Sequence, residues 1–343
     1  MQRQNADRSR TCRRGLWLLG TFLLLLLRTA EGAESFAGEF LTLGVGGRAL
    51  GLGGAYAALA TDATAAYWNP AGVAQLERRD LGLMHSTLFG MDRYDFVGLA
   101  VPVGPTRWGI GWIRLGVDEI ILTRVPHPGE PVSSINRPER VGTASVSQNA
   151  FLLTAGRRLA AWRAMTLFGG VGGKLLYLTA PGGVNALGAG LDLGLLSVWN
   201  LDSRGAVRGA IVFQDATTTT LFWNTVPAEG EVSHRDRIRP NLRLGLAYVR
   251  RLPRWDSQLT WSLQLDTKQR LELKTGLEWE LKELVAFRLG LLERKSTAAA
   301  LRDFSVGAGF RLGFVGGQAF RADYAFTSGE LGGSHRVSLG VQF

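Results

Sequence analysis

From residue 80 to the carboxyl terminus the chain repeats segments of about ten residues in which apolar side chains alternate with polar or small ones. Successive side chains of a strand point to opposite faces, so this period of two predicts strands with one apolar side. In Arg270–Leu281 the residues Leu271, Leu273, Leu277, Trp279 and Leu281 share one face, and Glu272, Lys274, Gly276, Glu278 and Glu280 the other. Leu259, Trp261, Leu263 and Leu265 repeat the design, as do Phe320, Ala322, Tyr324 and Phe326. About 14 such segments can be counted, near 80–89, 95–103, 106–118, 147–159, 166–178, 186–199, 207–215, 239–251, 257–266, 270–281, 284–293, 302–313, 317–327 and 334–343. The number is even and the lengths suit tilted membrane strands. A soluble sandwich would turn polar residues outward, not Leu, Trp and Phe. The expected fold is therefore all-β: a transmembrane outer-membrane β-barrel of about 14 antiparallel strands.

The connections agree. The longest gaps, 119–146 and 216–238, follow the third and seventh segments, whereas gaps after even segments are short, as at Gly104-Pro105 and Lys282-Glu283. Outer-membrane barrels place short turns on one side and long loops on the other, which imposes this parity. The final stretch, His335 to Phe343, alternates and ends on an aromatic residue. It resembles the terminal signal read by the barrel assembly machinery, an expected partner through the Phe343 strand, alongside outer-membrane lipid.

Residues 3–14 are rich in arginine, Leu16–Leu27 is apolar, and small residues follow to Ala33. This is the order of a secretory signal peptide, and about 12 apolar residues are too few for a spanning helix. Residues 1–33 are expected to be cleaved, delivering the chain to the cell outer membrane. The one cysteine, Cys12, lies in this segment, so a disulfide framework is excluded. The formal charge of +10 would fit a nucleic-acid binder, but the six arginines of residues 1–33, set against Asp7 and Glu31, account for four of those charges. The remaining basic residues are scattered without a stripe, so no nucleic-acid partner is expected.

Residues 34–79 differ in kind, rich in Gly and Ala and without alternation. Asp62 is expected to cap a short helix over Ala63–Trp68, Asn69-Pro70 to break it, and Pro70 to open a further turn. Phe40-Leu41, the run Gly46-Gly47-Arg48-Ala49-Leu50-Gly51-Leu52-Gly53-Gly54-Ala55-Tyr56 and the run Asp62 to Gly72, with its Trp-Asn-Pro-Ala-Gly core, resemble the PorV/PorQ family (UPF0164-like), a branch of the FadL-like outer-membrane barrels. The resemblance implies that 34–79 is an amino-terminal hatch inside an 80–343 barrel. It also implies that the turn at Asn69, Pro70 and Ala71 lies near a ligand passage, so Tyr67, Trp68, Asn69, Pro70, Ala71 and Gly72 are the expected hatch site. FadL-like members carry hydrophobic small molecules, and PorV-like members serve type IX secretion by handling exported protein at their outer loops. Passage of a hydrophobic ligand is the first expectation, and a secretion or surface-assembly role using loops 119–146 and 216–238 is the alternative.

Motifs for catalysis are missing. Gly169–Lys174 lacks the Gly and Ser/Thr of a phosphate loop at Phe168 and Leu175 and reads as a strand with a small face. The four histidines, His85, His127, His234 and His335, have no ligand spacing, and no Gly-x-Ser-x-Gly elbow occurs. No enzyme activity, catalytic residue, cofactor or metal is expected. If the Leu and Phe faces meet lipid, Lys274, Arg288, Arg311, Arg321, Asp323 and Arg336 face the lumen. They either attract the carboxylate of an amphipathic ligand or pair with Asp323 and nearby glutamates to fill a polar interior.

Overall fold

The computed structural model describes residues 38–88, 92–224, 234–267, 271–295, 300–329 and 332–343. The expected signal segment, 1–33, lies outside them, as does part of the 216–238 loop. The strands are β1 (Asp80–Leu88), β2 (Asp92–Val103), β3 (Thr106–Arg124), β4 (Glu139–Ala161), β5 (Met165–Ala180), β6 (Val184–Asn200), β7 (Gly205–Gln214), β8 (Thr219–Asn224) and β9 (His234–Ile238). They continue as β10 (Asn241–Leu252), β11 (Ser257–Asp266), β12 (Glu272–Leu281), β13 (Val285–Lys295), β14 (Ala300–Val315), β15 (Gln318–Thr327) and β16 (Ser334–Gln342).

Each strand pairs antiparallel with its neighbours, β1 pairs with β16, and β10 follows β7 directly in the ring. Closure therefore involves 14 strands and leaves no free sheet edge around the ring, the condition for crossing a membrane with strands. The hairpin β8–β9 pairs through β8 with Asn185–Ala189 of β6, so β7 with β8, and β9 with β10, are two wall strands, each broken once. Asp215 (φ 52°) and Thr218 (φ 56°) turn the first break, and Arg239-Pro240 makes the second. Both termini of the described barrel lie at one end, where Arg79 and Phe343 exchange backbone hydrogen bonds of 3.1 Å.

The alternation works as the physics requires. Leu273, Leu277 and Trp279 are exposed outward, whereas Lys274, Glu278 and Glu280 are buried inward. Exposed large apolar residues occur on nearly every strand, giving an apolar outer face.

The expected long loops are shorter than the spacing implied. Half of residues 119–146 is strand, because β3 runs to Arg124 and β4 starts at Glu139. Bulges between Val117 and Ile120 and between Leu122 and Thr123, with Glu119 at φ 58°, shift the register, so Ile120-Ile121-Leu122 shows no alternation in the sequence. Beyond Gly116 and Ser147 the flanking strands stop pairing, and β3–β4 continues as a two-stranded arm. At a strand's rise per residue its eight residues per side reach roughly 25 Å past the ring.

The lumen is filled by residues 38–79. A 3-10 turn (Glu39–Thr42), helix α1 (Gly47–Gly51), helix α2 (Ala65–Trp68) and a second 3-10 turn (Pro70–Gln75) are almost wholly buried against the inner wall. Helix α2 is shorter than Ala63–Trp68. Its N-cap is Thr64, which makes no side-chain cap bond, and Asp62 instead closes the turn before the helix by accepting the Thr64 amide (2.9 Å).

Candidate functional site

The Trp-Asn-Pro-Ala-Gly segment is held from all sides. Asn69, fully buried, accepts the Ala71 amide (3.0 Å) and donates to the Ala57 carbonyl (3.0 Å), which fixes the Pro70 turn as a side-chain cap fixes a helix start. The Trp68 indole donates to the Val45 carbonyl (2.8 Å), and the Tyr67 ring stands edge-on to it at 4.9 Å. The Tyr67 hydroxyl donates to the Leu41 carbonyl. Arg243 of β10 lies 5.1 Å over the Trp68 ring and donates to the Trp68 carbonyl (3.1 Å). Gly72 approaches the Ala60 carbonyl so closely that a Cβ would sit 2.3 Å from its oxygen.

The wall is shaped to receive this turn. A Cβ on Gly170 of β5 would lie 2.3 Å from the Pro70 carbonyl carbon, and one on Gly194 of β6 would lie 2.3 Å from the Asn69 Oδ1. Gly156 of β4 meets Val73 in the same way, at 2.7 Å. The Gly169–Lys174 run thus has the small face its sequence implied, and that face is a seat for the hatch turn. On the opposite, outward side of the same wall is an apolar recess of about 570 Å³ bordered by Val171, Leu193, Leu195 and Ile211. Only glycine backbone separates it from Asn69 and Pro70 at these points.

The charged lumen residues fall into networks. Lys274 binds Asp266 (2.5 Å) and Glu272 (3.0 Å), and Asp266 also binds Arg243 (2.9 Å). Arg288 lies between Glu278 (2.7 Å) and Asp323 (2.7 Å), and the hatch joins this group through Arg48, forked onto Glu278 at 2.6 and 2.9 Å. Arg311 pairs with Glu280 (2.8 Å), and Arg321 forks onto Asp80 at 2.5 and 2.7 Å. Arg336 stands apart, bonded to the hydroxyls of Thr327 and Ser334. Burial opposes ionisation of Asp62 in the hatch, but Arg321 and the Thr64 bonds outweigh it and hold this carboxyl below the usual carboxylate range. Burial, with Asp62 nearby, pushes the Tyr56 hydroxyl well up. A cavity of about 20 Å³, room for about one water, is bordered by Arg48, Tyr56, Asp62 and Arg321 together with the apolar Leu83 and Phe96.

Arg48, Asp80, Arg243, Asp266 and Tyr94 were not among the expected site residues. The alternation does put Arg243 on the inner face between Asn241 and Gly245, but pairing it with Asp266 requires the β10–β11 register. Among the described residues no group of three or more His, Cys, Asp or Glu side chains could hold a metal ion.

With this geometry in place, the likeness to solved structures is informative. A FadL homologue of Pseudomonas aeruginosa superposes with a TM-score of 0.54 at 12% identity, covering 87% of this chain and 98% of its own. The fold is that of the FadL-like barrels. The CymD monoaromatic hydrocarbon channel aligns with a TM-score of 0.52 at 12% identity over 88% of this chain and 97% of that one. The P. putida toluene transporter TodX aligns with a TM-score of 0.50 at 12% identity over 87% and 96%. The model of an uncharacterised protein family, UPF0164, matches residues 30–118, the hatch and the first strands, where the resemblance was read from sequence. Among curated proteins no sequence matches.

Proposed function

We propose that the protein is a non-enzymatic outer-membrane channel that passes hydrophobic small molecules through a lumen gated by the 38–79 hatch. The observation that carries this reading is the seat: a buried turn at Asn69-Pro70-Ala71 rests on bare glycine backbone, with an apolar recess of about 570 Å³ on the far side of the same wall. Withdrawal of the turn from these glycines would free lumen space along the inner face of β4–β6, whose strands stay paired. The solved structures of similar fold include proteins described as a toluene transporter and a monoaromatic hydrocarbon channel, which agrees with an apolar cargo. The test is uptake of radiolabelled toluene by Gram-negative cells expressing the full chain. Uptake above that of cells without the chain, altered by Gly170→Val, supports the reading, and uptake equal to those cells removes it.

One observation favours the second reading, a protein-handling role. The β3–β4 arm is tied into shape at its tip by Asn136, which is fully buried and bonds His127 and Glu130, yet it presents Ile121, Val132, Ile135 (84% exposed) and Val141 to solvent. Apolar residues on an ordered projection suit a protein partner. Retention of an exported protein on the intact chain, lost on replacing Ile135 and Val141 with Ser, would support it.

A further inference from the structure

Five cationic side chains are buried among the described residues: Lys174, Arg243, Lys274, Arg288 and Arg336. Four have carboxylates at 2.5–2.9 Å: Asp192 and Asp215 for Lys174, Asp266 for Arg243 and Lys274, and Glu278 and Asp323 for Arg288. Arg336 has none. It is 5% exposed, its two hydrogen bonds go to the hydroxyls of Thr327 and Ser334, and its Nε is unbonded. A buried cation without a counter-ion is costly, and each of the other four is matched by an acid.

A second orphan lies on the same row. Ser86 of β1 pairs with both Arg336 of β16 and Tyr94 of β2, so all three occupy one level of the wall. Tyr94 is fully buried, and its hydroxyl has no partner. Ser86 donates to the His335 carbonyl. The next level toward the termini is Ser338, Met84 and Phe96, where the hatch rests: the Gly47 amide donates to the Ser338 hydroxyl (2.7 Å) and the Gly46 amide to the Met84 sulfur (3.0 Å). The guanidinium Nε and the phenol therefore lie one level beyond these hatch contacts, on strands whose other inward side chains include the buried, apolar Leu88 and Phe96.

We infer that Arg336 and Tyr94 form a binding site in the lumen for the carboxylate of a small organic anion. A carboxylate accepts several hydrogen bonds and neutralises one charge, which is what these two groups lack together. The apolar neighbours suit the rest of the molecule. The proposal rests on the lumen being a passage, and it adds that the passage selects acids over their neutral counterparts.

The test measures binding of benzoate and of benzyl alcohol, its neutral counterpart, to the full chain in lipid nanodiscs, with empty nanodiscs as the reference. Benzoate is expected to bind about tenfold or more tightly than benzyl alcohol, the worth of a bond to a charged group. Arg336→Gln should abolish that preference, and Arg336→Lys should retain part of it. Tyr94→Phe should weaken benzoate several-fold, and because the hydroxyl has no protein partner this change removes no hydrogen bond from the fold. Equal binding of the two probes, or benzoate binding unaffected by both Arg336→Gln and Tyr94→Phe, would overturn the site and leave water as what satisfies these groups. Toluene uptake by the same variants separates the two proposals: uptake retained with no benzoate preference removes the site and leaves the channel standing.

Discussion

At the scale of single residues, the glycines of the seat carry the sharpest consequence. Gly170 adopts ordinary strand geometry, so what forbids a side chain there is Pro70 rather than backbone strain. Gly170→Val is expected to leave the ring intact, since valine is favoured in strands, and to displace the hatch turn. The folded variant should keep the heat-modifiable electrophoretic mobility of a closed barrel while residues 38–79 become cleavable by protease. A hatch still protected would show that the wall can yield instead. Asp62 gives a pH-dependent counterpart. Its folded pKa lies below the unfolded value, so its contribution to holding the hatch is complete above roughly pH 4 and is lost as pH falls through the folded value. Single-channel conductance of the closed chain should be flat from neutral pH to about 4 and rise below it. Asp62→Asn should show the raised conductance already at neutral pH.

At the scale of elements, the strands were legible because lipid outside and a packed lumen inside impose a period of two that no turn or helix imitates. The same code is silent where both faces are alike or the register slips. Segments β5 and β6 carry Gly and Leu so densely that their facing emerges only once Gly170 and Gly194 are seen under Pro70. The bulges at Glu119 and Thr123 hid the β3–β4 arm inside an expected loop, and Pro240 hid the continuation of β10 into β9. The arm itself makes a prediction, since an isolated two-stranded ribbon is marginal in water and depends on its closing loop. Asn136 supplies most of that loop's internal bonding, with its side chain bonded to His127, Glu130 and Pro131. Asn136→Ala should leave barrel mobility unchanged and make 125–138 several-fold more sensitive to limited proteolysis.

At the scale of the whole molecule, wall and hatch are two bodies whose charges complete one another, and this was the least legible part of the sequence. Alternation places Glu278, Arg288 and Asp323 inside, but Glu278 and Asp323 lie on strands separated by β13 and β14, and Arg48, which shares Glu278, is more than two hundred residues away in sequence. Removing the hatch therefore tests two ideas at once. Glu278 keeps Arg288, and Asp266 keeps Lys274 and Arg243, so the ring retains its internal ion pairs when residues 38–79 are deleted. The truncated chain should close as a barrel and conduct ions through a polar lumen, whereas the full chain, its lumen filled by buried residues, should be nearly silent in the same planar bilayer. Equal conductance would mean that the 38–79 segment does not block the path. Failure of the truncated chain to reach the heat-resistant mobility would mean that the wall needs the hatch to fold. Arg48→Gln then separates plug from scaffold, because it removes only the fork onto Glu278 and the contact over the Tyr56 ring and should raise conductance only in part.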